Sequence, residues 1–150
     1  PIQLYDHPVN MFVAGFIGSP PMNMLDGTLA AENGGLHFHD DATVIDLALP
    51  ATMCGAMERY AGKRVTLGVR PEDIHENPTQ TPLPGQSLTA PIEVVEPMGS
   101  EINLYLAVGK QSMTARIKAD REPEVNSRHV LDVNMANVHF FDVATELTIV

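Results

Sequence analysis

The sequence predicts an all-β protein with two short helices, and three observations lead there. Apolar and polar residues alternate through residues 88–94, 102–108 and 113–117, the period of half-buried antiparallel strands. Turn signals separate such runs, among them Asn-Gly-Gly at 33–35, Pro-Met-Gly at 97–99 and Gly-Lys-Gln at 109–111. Only two stretches, near 12–17 and 51–61, repeat their apolar residues at helical spacing.

In chain order, Phe12, Val13, Phe16 and Ile17 make one apolar helix face, and the helix stops at Gly18 because the Gly-Ser-Pro-Pro that follows cannot continue the ladder. Residues 25–32, 36–40 and 44–49 read as three strands joined by tight turns at 33–35 and 40–41. The second helix, over 51–61, carries Met53, Met57 and Tyr60 on one side and Gly62 as its C-terminal cap, with Gly55 as a weak point inside it. A strand over 65–70 is stopped by Pro71. Residues 77–86 hold three prolines and no apolar period, which predicts an exposed loop or linker. After the three alternating runs come a strand over 130–135, a short turn over 137–142 and a last strand over 147–150. Periodicity by itself leads no further than all-β; if the strands divide into two half-domains, these meet near 76–87.

Composition limits what such a chain can do. A length of 150 residues and a mean hydropathy of −0.03 suit a globular protein with one sizeable core or two very small ones, and no apolar run is long enough to span a bilayer. The net charge of −10, from 19 acidic against 9 basic residues, argues against nucleic acid and anionic lipid, whose phosphates need Lys and Arg, and favours a neutral or basic protein partner. Cys54 is the single cysteine, which excludes an intrachain disulfide or a multi-cysteine zinc site and fits a reducing compartment. The opening Pro-Ile-Gln-Leu resembles neither a translation start nor a signal peptide, so the chain reads as a fragment.

Few residue groups suggest chemistry. A phosphate-cradling loop needs Gly, four residues, then Gly-Lys-Ser/Thr. Gly109-Lys110 has Leu104 where that glycine belongs and its hydroxyl, Ser112, one place late; Gly62-Lys63 is followed by Arg64. Ser19, Ser87, Ser100, Ser112 and Ser127 lack a nucleophile-elbow context, Cys54 lies in an apolar helix, and Glu122 and Glu124 belong to a charged turn. No catalytic residue and no cofactor site is assigned. The best metal-like group is His37 with His39, two apart on one strand face and followed by Asp40 and Asp41; the alternative is a polar hairpin end. Arg70, on the Pro turn with Glu72, either fixes that turn through a carboxylate or anchors an anion or sugar.

Leu4, Tyr5, Pro8, residues 12–20, Met22 and Asn23 match the pattern Leu-Tyr-x-x-Pro-x-x-x-Phe-Val-Ala-Gly-Phe-Ile-Gly-Ser-Pro-x-Met-Asn. Leu-Gly-Val-Arg-Pro-Glu at 67–72 and Val-Glu-Pro-Met-Gly-Ser-Glu at 95–101 follow in the same order. With these motifs the chain resembles, over nearly its whole length, the region after the nucleotide-binding domain in ATP-binding subunits of carbohydrate-type ABC importers, the maltose and glycerol-3-phosphate importer family. Met11 departs from that family, which carries a charged or small residue there, and the Leu-Ser-Gly-Gly-Gln signature loop is missing.

The resemblance implies OB-like barrels of the TOBE/MOP type over 25–150, preceded by a hinge helix and linker over 1–24 that leads from a nucleotide-binding domain outside this sequence. It implies a regulatory domain that pairs with a second copy in a homodimer, in a parent whose other domain holds ATP and Mg and engages membrane permease subunits. That parent would be cytoplasmic, at the inner face of the membrane. Phe12, Phe16, Met22, Asn23, Arg70, Glu72, Glu96, Gly99 and Glu101 are the interface candidates, the last three on a hairpin open to a cytosolic regulatory protein or the second subunit. Related barrels bind oxyanions such as molybdate, so a ligand-binding barrel for an oxyanion or sugar is the alternative, with Arg70 and Arg116 as donors.

Overall fold

The computed structural model describes residues 2–18, 20–120 and 122–150. Ser19, inside the predicted helix break, lies outside the described residues.

Two short helices come first, α1 (Ile2–Asp6) and α2 (Met11–Phe16). Among the described residues ten strands follow, with one α-helix between them: β1 (Asn23–Glu32), β2 (Gly35–Asp40), β3 (Asp46–Ala48), α3 (Ala51–Met57), β4 (Arg64–Val69), β5 (Ile74–Glu76), β6 (Ser87–Pro97), β7 (Glu101–Val108), β8 (Gln111–Lys118), β9 (Arg128–Val133) and β10 (His139–Asp142). They form two five-stranded sheets, in the orders β10-β4-β1-β2-β3 and β5-β9-β6-β7-β8. All strand pairs are antiparallel.

Alternation in the sequence becomes alternation of burial. β1 and β2 turn Leu25, Leu29, Leu36 and Phe38 inward and the residues between them outward. Between them Asn33 and Gly34 both take positive φ, 50° and 78°, as a tight two-residue hairpin requires. β6 pairs with β9 through Ser87–Pro91 and with β7 from Ile92 onward, and a register shift between Ile92 and Val94 lets one strand serve both neighbours. Such an irregularity bends a strand and steepens its twist, which curls the sheet toward a barrel. Leu25, Phe38, Leu67 and Phe140 of one sheet join Leu88, Ile92, Leu104 and Leu131 of the other in one continuous apolar core.

The second helix is α for Ala51–Met57 and tightens into a 3-10 turn over Glu58–Tyr60; Met53 and Met57 are buried, and Gly62 follows at φ 79°. Residues 77–86 form a loop organised on the buried Asn77, whose Nδ2 donates to the Thr81 carbonyl (2.8 Å) and to Asp132 (3.0 Å).

Two expectations need correction, and one is made definite. Residues 137–142 are no mere turn, because β10 occupies His139–Asp142 and pairs with β4 at the sheet edge. Phe140 and Phe141 are both fully buried, one in the main core and one in a small cluster with Ala14 and Met22. A strand buried on both faces has no period of two to read. Residues 147–150 run beside β10, with Ile149 donating to the Phe140 carbonyl and Phe140 to the Val150 carbonyl, but form the isolated bridges Asn10↔Leu147 and Phe141↔Thr148 rather than a strand. In α2 the buried residue is Ala14, whereas Phe12 and Phe16 are 75% and 73% exposed.

Candidate functional site

The matched residues at the start of the chain meet at the junction between the two N-terminal helices and the first sheet. Neither α1 nor α2 is long enough to persist alone, since nucleating so few residues is unfavourable. Local capping helps α2: the Asn10 side chain accepts the Val13 N–H at 2.9 Å. Tertiary bonds do the rest. Arg70, at the end of β4 and only 4% exposed, donates from Nη1 to the Ile17 carbonyl and from Nη2 to the Tyr5 carbonyl, both at 2.8 Å. Its guanidinium also lies 3.7 Å from the centre of the Tyr5 ring. One planar fork thereby holds α1 and the exit of α2 together. Gly18, at φ 112°, leaves room for it, because a Cβ there would stand 3.2 Å from Nη1.

The C-terminal residues close the other side. Thr148 donates its N–H to the Val9 carbonyl (3.1 Å) and its hydroxyl to the Pro8 carbonyl (2.5 Å), and Met11 donates to Glu146 (3.0 Å). Beneath α2, Met22 packs with Ala14 and Phe141. Asn23 then joins the sheets: its Nδ2 donates to the Thr114 carbonyl at 2.8 Å and its Oδ1 accepts the Thr114 N–H at 2.7 Å. The arrangement seats α2 firmly while its aromatic pair, Phe12 stacked on Phe16 with centroids 5.8 Å apart, faces away from the barrel.

Arg70 also lines a cleft of about 490 Å³ with Tyr5, His7, Asp73 and His139. Burial pulls its pKa below the ordinary guanidinium value, opposed by Asp73 and Asp6. His139 is pushed down as well, by burial first, with Arg70 and His7 adding to the effect against the Val150 main chain and Asp73. Its buried Nδ1 has no hydrogen-bond partner among the described residues. The folded state therefore favours neutral His139, while the unfolded chain takes up a proton near the ordinary value of about 6.5. Stability from this group is full above that value and falls as the pH drops toward the lower folded-state pKa. Urea midpoints at about pH 7.5 and about pH 5.5 are expected to differ in that direction, and His139→Phe to lessen the difference.

The remaining candidates do not gather here. Glu72 sits half-buried on the 3-10 turn Pro71–Asp73, and the hydrogen bonds of Arg70 go to main-chain carbonyls instead of to it. At the tip of the second sheet, Gly99 takes φ 86° in an exposed turn, and Glu101 opens β7 opposite Lys118. Glu96 is the exposed acceptor for Tyr105 Oη (2.9 Å) and Asn103 Nδ2 (3.2 Å).

His37 and His39 do share the outer face of β2, but with other carboxylates than Asp40 and Asp41. Asp40 turns inward and accepts the N–H of Ile45 (2.6 Å) and Ala42 (3.2 Å). Asp41 forms a two-pronged pair with Arg64. Glu32 and Asp46, from the flanking strands, stand beside the two imidazoles instead. Strand parity was the signal that could have excluded Asp40, since it lies one residue from His39 and so on the opposite face.

Comparison with known proteins bears on the family and the fold. A model described as the MalK OB fold domain matches residues 18–74, and the TOBE domain model matches residues 67–141. The ABC transporter ATP-binding protein YurJ of Bacillus subtilis (strain 168) is 34% identical over 97% of this chain and 40% of its own length. The multiple sugar-binding transport ATP-binding protein MsmK of Streptococcus mutans is 37% identical over 99% of this chain and 39% of its own. The chain thus spans about 40% of the length of the curated relatives it matches. The cytoplasmic molybdate-binding protein ModG, solved with molybdate bound, shares the fold with a TM-score of 0.60 over 79% of this chain and 94% of its own, at 15% identity. The expected OB-like architecture is met, no helix among the described residues is long and apolar enough to cross a membrane, and with half its length in the domain's own model the chain belongs to the TOBE domain family, in the form found in ABC transporter ATP-binding proteins.

Proposed function

We propose that this chain is the regulatory and dimerisation region of the ATP-binding subunit of an ABC importer for a sugar or glycerol-3-phosphate. The observation that carries the reading is the outward Phe12–Phe16 pair on a helix that Arg70, Thr148 and Asn10 hold in place. An apolar face on a firmly seated helix suits docking of a nucleotide-binding domain, and a firm seat lets movement of that domain reach the barrel. In this reading ATP and Mg bind in that other domain, which also contacts the permease subunits at the inner face of the membrane. A second copy of the chain pairs with the barrel, and the hairpin with Glu96, Gly99 and Glu101 is open to a cytosolic regulator. MsmK, named for multiple-sugar transport, supports a sugar as the solute.

The rival reading, an oxyanion- or sugar-binding barrel, is weakened because Arg70 spends its donors on carbonyls and Arg116 points Nε at Asn103 Oδ1. The test is to isolate the native polypeptide and determine its intact mass and the sequence ahead of Pro1. A further domain on the order of 200 residues with Gly-x-x-x-x-Gly-Lys-Ser/Thr, and a dimer in sedimentation with ATP, is the expected result. A polypeptide without that motif, or one that stays monomeric with ATP, overturns the reading.

A further inference from the structure

The outer face of the first sheet carries a second constellation, independent of the transporter reading. In the register of β1, β2 and β3, His37 lies between Ala30 and Ala48, and His39 between Thr28 and Asp46. The small residues beside His37 leave the space above it to side chains that reach in diagonally, Glu32 from the end of β1 and Asp46 from β3. His37 Nδ1 is 2.6 Å from Asp46 Oδ1 and 3.9 Å from Glu32 Oε2, and His39 Nε2 is 2.8 Å from Glu32 Oε1 and 4.0 Å from Asp46 Oδ1. The rings lie nearly parallel, 18° apart.

Each imidazole therefore faces both carboxylates. With metal–nitrogen and metal–oxygen bonds of about 2.0–2.1 Å, a tetrahedral ion would need these four edges near about 3.3 Å. Two of these distances fall below that and two above it, and with the ring centroids 6.3 Å apart His39 has to swing toward His37 to complete the set. Glu32, His37 and Asp46 already present ligand atoms all within 4.8 Å of one another.

We propose that Glu32, His37, His39 and Asp46 form a four-ligand site for zinc or a similar divalent transition metal. Two imidazoles with two carboxylates suit zinc, nickel or copper better than the all-oxygen preference of magnesium and calcium. Binding moves the proton of each ring to its outward nitrogen, Nε2 of His37 and Nδ1 of His39, and the ion replaces the two hydrogen bonds now made to the carboxylates. The carboxylates are the more exposed members, at 39% and 52%, so the ion enters from solvent on their side. The ion would tie the β1–β2 hairpin to β3, which pairs with β2 over only three residue pairs. Net charge of −10 favours cation approach.

The experiment uses the 150-residue chain without a histidine tag in chelator-free buffer. Zinc is titrated calorimetrically, and cobalt(II) is bound as a visible-absorbing stand-in that zinc then displaces. One zinc per chain is expected, with a tetrahedral cobalt spectrum that excess magnesium leaves unchanged. His37→Ala with His39→Ala is expected to weaken binding by about 100-fold or more, since even supporting groups around a metal cost 10–100-fold. Glu32→Gln with Asp46→Asn keeps size and hydrogen bonding, guards against a folding artefact, and is expected to weaken binding comparably. His75→Ala, at an exposed position away from the cluster, is expected to bind as the parent does. Zinc affinity in the double-histidine variant equal to the parent's, or an octahedral cobalt spectrum, overturns the proposal.

Discussion

Replacing Arg70 with alanine is expected to release residues 2–17 from the barrel and to lower unfolding stability by about 4 kcal/mol, the combined scale of two charged hydrogen bonds and a shielded cation–π contact. The truncation leaves the Tyr5 and Ile17 carbonyls without their donor and the Tyr5 ring without its cation. Arg70→Lys retains the charge but cannot span both carbonyls with a planar fork, so it is expected to recover less than half of the loss. Urea unfolding reads the stability, and amide exchange over residues 2–17 reads the release. Faster exchange there, with protection in β1 and β4 kept, is the expected signature, because the sheet pairing does not depend on the guanidinium. Unchanged exchange in 2–17 would mean that Thr148 and Met11 hold the segment unaided. In the transporter reading, the variant uncouples the outward Phe12–Phe16 face from the barrel while leaving the barrel folded.

The second large effect is expected at Gly27, where alanine should cost about 3 kcal/mol as an overpacked core site. Gly27 lies in the middle of β1, paired with Asp40 on one side and Val65 on the other. A Cβ at this position would run into the His39 carbonyl oxygen and stand 2.6 Å from Phe38 Cζ. Gly27 is not among the positive-φ glycines, so its absent side chain, rather than backbone freedom, is what the position uses. The Phe38 ring lies across the strand at this point and packs against Phe140, 6.0 Å between centroids. Relief would require moving either that ring or the β2 backbone. Chemical denaturation checks the prediction, and a Phe38→Leu background should recover part of the loss if the ring is the obstacle. Loss of β2–β3 register in the alanine variant would also displace Asp46 from His37, which links this site to the metal cluster on the other face.

Most strands were legible because their burial alternates. β7, with Ile102, Leu104, Leu106 and Val108 inward, and β8, with Met113, Ala115 and Ile117 inward, match the apolar period of the sequence, the buried Asn103 of β7 being the one exception among them. β10 was illegible for the opposite reason, with adjacent phenylalanines committed to two different clusters. β5 is too short, at three residues, to display a period. In α2 the spacing of Phe12 and Phe16 correctly marked a helix and an apolar face, yet did not say that the face turns outward; Ala14 does the packing, and so small a side chain gives no signal in an amphipathic pattern.

By itself, the sequence determined the all-β class, the approximate strand positions, the absence of a phosphate-binding loop from these 150 residues and, through three ordered motifs, the transporter family. Those properties follow from local pattern and residue identity, which a linear chain carries in full. Only the tertiary structure decided where Arg70 spends its donors, that Asn23 joins the two sheets, and that Glu32 and Asp46 rather than Asp40 and Asp41 face the two histidines. Each of those depends on strand register and on which elements meet across long loop closures. Such pairings are chosen by the packing of the whole core, a collective free energy that no short window of residues contains.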